Sequence, residues 1–381
     1  MRIAWPNTPK PLPIWALALV LGLAAFFLII GPKALDSRNI AWLAGGMDPT
    51  QHYLGWAFYR QSPWGWPLGL NPSFGLDIGT SIVYSDSIPL LAMFFKLWSS
   101  LLPEPFQYFG LWMLLCFILQ AYFGLCLVRL VTPVRLLQVL GAAFFTISPI
   151  MLWRMGLHAA LAGHFLILAA LYLTLRPLPK KQSASPILPW MLVICCAALV
   201  HAYLLAMVLI LWLVDLASRY QRVLQEQHRV KGITAQEAGK QALVPLLQII
   251  LVALALWSVM WVAGYFVVSN PSTGVNFGEG HMNVLGLIDS GRWSFVLRDI
   301  PTAPTNFDLR GREYESFMYL GSGLLFCTGF AIWALLPISP LPKQIAWHSL
   351  RARYSLLIVA IILMTVFAVS NQVGIGGFAF I

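Results

Sequence analysis

The chain has few charged residues. Lys, Arg, Asp and Glu make up only 10% of its 381 residues, against about 25% in an ordinary soluble protein. Hydrophobic residues reach 59%, and the mean hydropathy is +0.76. Because a chain this apolar cannot cover itself with polar surface in water, the composition excludes an ordinary soluble domain. It predicts an all-α polytopic membrane protein.

Cysteine is also scarce, and its placement excludes two further classes of protein. The five cysteines all lie inside apolar runs, and none has a histidine at the spacing of a metal motif. They are predicted to be small core residues rather than a disulfide framework. Heptads and low-complexity tracts are lacking too. The informative features are therefore the long apolar runs and the polar segments between them.

Apolar runs of about 20 residues predict membrane spans. Seven runs are clear, and they cover 13–31, 107–128, 136–153, 159–176, 244–268, 317–336 and 354–371. The run 187–218 is too long for one span and short for two. It is either one tilted helix or two helices that meet at His201. With two helices, the prediction is about nine spans, the first of them a retained span rather than a cleaved signal.

The distribution of charge orients these spans. With nine spans, 15 of the 24 Lys and Arg residues but only 3 of the 14 acids lie on one side. The positive-inside rule makes that side, and the N-terminus, cytoplasmic. This distribution explains the net charge of +10 without nucleic-acid binding. Two long loops, 32–106 and 269–316, become exterior. The run 87–102 is predicted to be an interfacial or re-entrant helix, since a further crossing would reverse every later loop.

Asp48 is the most prominent polar residue of the first exterior loop. In one interpretation Asp48 is the N-cap of a helix that has Pro49 at its first position. In the other, its carboxylate acts as a general base or ligates a divalent metal. His52 follows one turn later, on the face of Trp56 and Tyr59. Both interpretations of Asp48 stay open.

Four further segments hold polar candidates. Tyr84–Ser87 is predicted to cap the interfacial helix, and its Asp86 is a second acidic candidate. Arg154 and His158 are one turn apart near the exterior face. They either bind a donor phosphate, or are an interfacial arginine and a histidine bonded to backbone. Tyr314 and Glu315 in the second loop are candidates for substrate binding, against a solvated salt-bridge patch as the alternative.

Several of these motifs resemble one enzyme superfamily. Gly45–Tyr53 after the first span, Tyr84–Ser87, His158 with His164, and Tyr314–Gly321 together resemble the GT-C superfamily of membrane glycosyltransferases. They are especially similar to a bacterial branch of unknown function. The resemblance spans nearly the whole chain. The motifs are more specific to the branch than to a reaction.

This resemblance implies a function and a location. Such enzymes transfer a sugar from a polyprenyl phosphate donor, on the exterior face of the bacterial inner membrane, to a glycan, lipid or protein acceptor of the cell envelope. It implies a single transmembrane domain over 1–381. Relatives of this branch are expected to be longer, so a region beyond residue 381 is expected to be missing.

The resemblance also assigns roles to residues. Asp48 is implied as the catalytic base or a metal ligand, with Asp86 as a second ligand of a divalent cation such as Mg²⁺ or Mn²⁺. The expected substrate-binding residues are His52, Arg60, Asp86, Arg154, His158, Tyr314 and Glu315.

Other functions stay open beside the transferase. The main alternative is a non-enzymatic transporter or assembly partner for envelope polysaccharide, or an inactive truncated remnant. Transporters usually place ionisable residues near the middle of the bilayer, whereas this chain places its acids in loops, which favours the transferase. A histidine-dependent acyltransferase, with His164 and His201 as candidates, is a third alternative.

Overall fold

The fold is mostly helical with few strands. The computed structural model describes residues 12–75, 79–177, 187–229, 235–268, 281–298, 300, 317–336, 347–371, 373–376 and 378–380. Its α-helices are α1 (Ile14–Ile29), α2 (Met47–Gln61), α3 (Pro89–Lys96), α4 (Phe109–Arg129), α5 (Arg135–Thr146), α6 (Pro149–Leu157), α7 (Phe165–Leu175), α8 (Ile187–Val200), α9 (Ala202–Arg229), α10 (Ala235–Ala263), α11 (Ser322–Leu335) and α12 (Trp347–Val369). Two short antiparallel hairpins join β1 (Leu70–Asn71) to β2 (Thr80–Ser81) and β3 (Val373–Ile375) to β4 (Phe378–Phe380).

Several helices have the character of membrane spans. Four segments are long and apolar enough to cross a bilayer, and they are Phe109–Arg129, Arg135–Leu157, Ala202–Gln221 and Leu243–Ala263. Five shorter apolar helices accompany them among the described residues, and they are Ile14–Ile29, Ala159–Leu175, Ile187–Val200, Ser322–Leu335 and Tyr354–Val369. Large apolar side chains such as Leu28 and Phe326 are 86% and 75% exposed. Such exposure suits a lipid environment and not water.

The run 187–218 forms two helices rather than one. α8 ends at Val200 and α9 begins at Ala202, so the break falls at His201. α9 continues to Arg229, well past the apolar run. The run 136–153 is also divided, because α5 ends at Thr146 and α6 begins at Pro149. Both interruptions place polar residues at helix ends.

The core of the bundle lies around α4, which packs against α1, α5 and α7. One reason for the close packing of α1 on α4 is Gly22. A Cβ atom at this position would lie 2.6 Å from the Cα atom of Ile118, so only glycine permits this approach. α7, α8 and α9 form a second packed layer.

A buried ion pair within α9 is hydrogen-bonded to α8 and α7 in this second layer. Asp215 accepts hydrogen bonds from Trp190 Nε1 at 2.8 Å and from Arg219 Nε at 2.7 Å. Arg219 also donates to the carbonyl of Leu173 on α7, at 3.2 Å. Asp215 is 1% exposed and Arg219 is 5% exposed. We call this trio of Trp190, Asp215 and Arg219 the internal brace, since it connects three helices.

The segment between α1 and α4 contains short helices that do not cross the bundle. α3 has 8 residues and is about 12 Å long, far below the thickness of a bilayer. α3 alone is therefore too short to cross a bilayer, and the interfacial or re-entrant placement of 87–102 stays a prediction. The segment is tied to α10 by a hydrogen bond from Ser81 Oγ to the carbonyl of Ala263, at 2.8 Å.

Candidate functional site

α2 contacts α6. Asp48 lies in the first turn of α2. Gly46 is the N-cap of α2, with a φ of +87° that favours glycine. Its N–H donates to Thr50 Oγ1 at 2.9 Å. The predicted N-cap role of Asp48 is therefore wrong. The carboxylate instead reaches across to α6, where its Oδ2 lies 3.2 Å from Nε2 of His158.

The turn before α3 presents Asp86 in a constrained conformation. Asp86 has a φ of +51° and Ile88 a φ of +54°, a left-handed region that a β-branched residue rarely occupies. Ser87 is fully buried, and its Oγ donates to the carbonyl of His52 at 2.6 Å. Tyr108 donates from its hydroxyl to the carbonyl of Ser87. The turn is thus held against α2.

The prediction that Tyr84–Ser87 caps α3 is also wrong. The N-cap of α3 is Ile88, and no side chain makes a capping hydrogen bond there. Ser85 and Ser87 are directed towards α2, where a Cβ on Gly55 would lie 2.3 Å from Ser85 Oγ and 2.5 Å from Ser87 Oγ. Glycine at this position is what allows the serines, and with them Asp86, to approach α2.

His201, at the break between α8 and α9, orients Asp86. The N–H of Tyr203 donates to Nδ1 of His201 at 3.1 Å, so the proton of the neutral imidazole is on Nε2. That Nε2 lies 3.2 Å from Oδ1 of Asp86. The other oxygen, Oδ2, lies 3.9 Å from Nε2 of His52. Asp86 therefore has one oxygen held by His201 and one directed towards α2.

We call Asp48, His52, Asp86, His158 and His201 the polar cluster. Four separate segments of the chain supply its members, which are α2, the turn before α3, the end of α6 and the break between α8 and α9. The side chains of Asp48 and Asp86 are 28% and 32% exposed, whereas that of His52 is 2% exposed. The cluster thus has a buried imidazole beneath two accessible carboxylates.

The protonation states at neutral pH follow from burial and charge. Burial lowers the pKa of His52 to about 4, although Asp86 opposes this shift. His52 is therefore neutral, with a nitrogen lone pair available to a ligand. Burial alone would raise the pKa of Asp86, but the hydrogen bond from His201 lowers it, and the net result is a pKa below the usual value. Asp86 is therefore an anion.

The cluster has the geometry of a metal site. Ligand atoms of His52, Asp86 and His158 all lie within 4.8 Å of one another. Asp48 and Asp86, the two acids predicted as metal ligands, both belong to the polar cluster. Because imidazoles outnumber carboxylates in the cluster, its donor set suits a transition metal better than Mg²⁺, which prefers oxygen ligands.

Some predicted site residues lie outside the polar cluster. Arg60 is at the far end of α2, about 18 Å from Asp48 along the helix, and donates to the carbonyls of Ser99, Leu102 and Pro103. It also pairs with Glu104 at 3.0 Å. These contacts give Arg60 a structural role.

Of the remaining predicted residues, the structure describes Arg154 but not Tyr314 and Glu315. Arg154 is 7% exposed and lies in α6, where its carbonyl accepts from the N–H of His158 at 2.8 Å. Tyr314 and Glu315 lie outside the described residues. The sequence predicted His201 as a possible helix junction and as a candidate of the acyltransferase alternative, but not as a partner of Asp86. The signal for its role was an ionisable residue in the middle of an apolar run, which is expensive unless it has a partner.

Together the apolar helices and the polar cluster define a class of protein, a helical protein of membrane type with a site lined by histidines and aspartates. The chain belongs to the family described as "Domain of unknown function (DUF6311)", whose pattern matches residues 19–381. No curated protein and no solved structure matches the chain significantly.

Proposed function

We propose that this chain is an inverting membrane glycosyltransferase of the GT-C type, which takes a sugar from a polyprenyl phosphate. The observation that carries the proposal is the pairing of Asp48 with His158 at 3.2 Å, in a cluster whose carboxylates are accessible. A carboxylate beside an imidazole can accept a proton and pass it on. The resemblance of the motifs around Asp48 supports the class of donor.

The proposal includes a topology of nine spans. The four helices long and apolar enough to cross a bilayer support this count, and the five shorter apolar helices are proposed as the other five crossings. The excess of basic residues on one side supports a cytoplasmic N-terminus. The polar cluster would then lie at the exterior end of the bundle, in the inner membrane of a bacterium. A lipid-linked donor would reach it from the outer leaflet, and a cell-envelope acceptor from the exterior.

The reaction is a single displacement. Asp48 takes the proton from a hydroxyl of the acceptor as the oxygen forms a bond to the anomeric carbon. The bond from that carbon to the phosphate oxygen breaks, and its electron pair leaves with the polyprenyl phosphate. Attack occurs opposite the leaving group, so the anomeric configuration inverts. The proton on Asp48 then passes to solvent, to which this carboxylate is 28% exposed.

Positive charge near the departing phosphate would lower the barrier. Arg154 is one helical turn before His158 on α6, and an arginine keeps its charge at any relevant pH. It is our candidate for this role. Arg60 is not part of the proposal, since its guanidinium is occupied by three backbone carbonyls and Glu104.

The test is a transfer assay with the purified protein and a panel of polyprenyl phosphate sugars. We expect wild type to release polyprenyl phosphate in the presence of envelope acceptors, and Asp48→Asn to do so about 100-fold to 10,000-fold more slowly, the usual range for loss of a general base. Asp36→Asn is the matched control, because Asp36 is an exposed acid of the same loop outside the cluster.

Two outcomes would overturn the proposal. One is equal transfer by wild type and Asp48→Asn, which would remove Asp48 as the base. The other is no transfer by wild type with any donor of the panel, while the protein is folded and monodisperse.

A further inference from the structure

We propose that the polar cluster binds one transition-metal ion of the Zn²⁺ type, with His52, Asp86 and His158 as its protein ligands. His52 lies in α2, His158 follows the last residue of α6, and Asp86 lies in the turn before α3. The proposal concerns binding alone and holds whether or not the chain transfers a sugar. It differs from the divalent cation expected from the sequence, for which Asp48 and Asp86 were the candidate ligands.

The distances fit a single ion. Zinc binds nitrogen at 2.0–2.1 Å, so two ligands of a tetrahedral ion lie roughly 3.4 Å apart. His52 Nε2 and Asp86 Oδ2 are 3.9 Å apart, and the three ligand atoms all lie within 4.8 Å of one another. Movements of about 1 Å, within the range of small side-chain rotations, would close the site.

The ligand types select the metal. Two histidines and one carboxylate are the protein ligands of many catalytic zinc sites and of ferrous oxygenases. Such sites keep a coordination position open for water or substrate. Asp48 Oδ2, 3.2 Å from His158 Nε2, is placed to ligate the ion as well or to accept a hydrogen bond from its water. Mg²⁺ would favour a site of oxygen atoms instead.

Hydrogen bonds around the ligands hold them in place. His201 donates from Nε2 to Oδ1 of Asp86, which leaves Oδ2 directed at His52. Ser87 fixes the backbone of His52 through a 2.6 Å hydrogen bond. Partners of this kind orient metal ligands, and their loss commonly weakens metal affinity 10-fold to 100-fold. His201 is thus a positioning residue for the site.

The burial of His52 also suits a metal ligand. Its side chain is 2% exposed, so the surrounding protein rather than bulk water controls access to its ring. Asp86 is 32% exposed, which gives an ion access from solvent.

The test is metal binding by the purified chain in detergent. The protein is stripped with EDTA, dialysed against Zn²⁺, and its metal content is measured by mass spectrometry. Co²⁺ is then titrated as a spectroscopic probe, since its absorption reports the number and type of ligands. We expect one ion per chain. His52→Gln and His158→Gln should lose stoichiometric binding, and His201→Gln should weaken Co²⁺ binding 10-fold to 100-fold without changing its stoichiometry at saturation.

His281→Gln is the matched control, because His281 is a buried histidine that is not part of the cluster. It should bind Zn²⁺ as wild type does. The proposal is overturned if folded wild type binds no Zn²⁺ at micromolar concentration. It is also overturned if the histidine variants keep the ion while Asp48→Asn and Asp86→Asn lose it, which would indicate an oxygen-ligated cation.

The metal proposal and the transferase proposal fail separately. Zn²⁺ binding that depends on the histidines, without sugar transfer, would remove only the proposed function. Sugar transfer by a protein that binds no Zn²⁺ would remove only the metal site.

Discussion

Asp215 and Asp86 both pair with nitrogen donors, and they differ in how their oxygens are used. Asp215 in the internal brace is 1% exposed, and both its oxygens accept from nitrogen donors at 2.7–2.8 Å. Asp86 in the polar cluster is 32% exposed, and one of its oxygens lies 3.9 Å from the facing His52. The two sites lie about 21 Å apart along α9, from His201 to Asp215.

The difference separates stability from function. The donors on Asp215 are an indole and a guanidinium, which keep their protons at any relevant pH. Both oxygens of Asp215 accept hydrogen bonds, and the carboxylate is 1% exposed. The partners of Asp86 are imidazoles, which can donate, accept or bind metal. Burial of a charge alone therefore does not indicate a functional site. A partly exposed carboxylate beside imidazoles, which can gain or lose a proton, is the better indication.

The largest effect on stability is expected from the internal brace. Asp215→Ala leaves the Arg219 charge buried without its partner, which commonly costs about 3–5 kcal/mol. We expect this loss in denaturant unfolding of the protein in mild detergent. Asp36→Ala, at an exposed acid, should change stability little. An unfolding midpoint of Asp215→Ala at the same denaturant concentration as wild type would contradict a stabilising role of the brace.

A smaller effect is expected where the polar cluster meets α2. Gly55→Ala places a Cβ about 2.3 Å from Ser85 Oγ, and overpacking of this kind usually costs about 1–3 kcal/mol. Because Ser85 and Ser87 carry Asp86, we also expect weaker Zn²⁺ binding. Gly45→Ala is the control, since its Cβ would meet no atom within 4 Å. Equal stability and equal Zn²⁺ binding of the two variants would show that the close approach is unimportant.

The smallest effect is expected at Lys96. Its side chain is 4% exposed, and its Nζ lies 3.9 Å from the ring centre of Tyr59 and 4.7 Å from that of Trp64. Burial lowers its pKa from 10.5 to about 8. The unfolded chain therefore binds a proton more readily between pH 8 and 10.5, and the stability of wild type rises with pH across that window.

Lys96→Met removes this titration. We expect the variant to be about 1 kcal/mol more stable than wild type at pH 7, because the loss of a buried charge outweighs the loss of its ring contacts. The advantage should shrink as the pH rises from 8 to 10.5. Thermal unfolding at several pH values measures it, with Lys33→Met, at an exposed lysine, as control. A stability difference between Lys96→Met and wild type that is the same at all pH values would contradict a lowered pKa of Lys96.

Periodicity and composition predicted the helices well and the cluster in part. Each of the seven clear apolar runs contains a helix, because burial in lipid demands long apolar segments that satisfy their own backbone. Asp48, His52, Asp86 and His158 were all candidates, and the structure brings them together. The nine crossings, their orientation and the sugar donor stay predictions.

Predictions from short sequence patterns were wrong or incomplete where contacts between distant residues determine the role of a side chain. Asp48 followed by Pro49 has the pattern of an N-cap, yet Gly46 with its positive φ begins the helix, so the carboxylate is left for His158. Arg60 follows His52 in the same helix, but the 3.6-residue period alone could not show that the Ser99–Pro103 carbonyls surround its guanidinium. The break at His201 was one of two alternatives, and its contact with Asp86 depends on residues distant in sequence.

The comparison of Asp48→Asn with Asp215→Asn, in one transfer assay with a polyprenyl phosphate sugar, tests the central claim most directly. The rate is expressed per folded molecule, and unfolding is measured on the same samples. We predict that Asp48→Asn is as stable as wild type but transfers about 100-fold or more slowly, whereas Asp215→Asn is less stable and transfers at the wild-type rate. Transfer by Asp48→Asn at the wild-type rate would contradict the account.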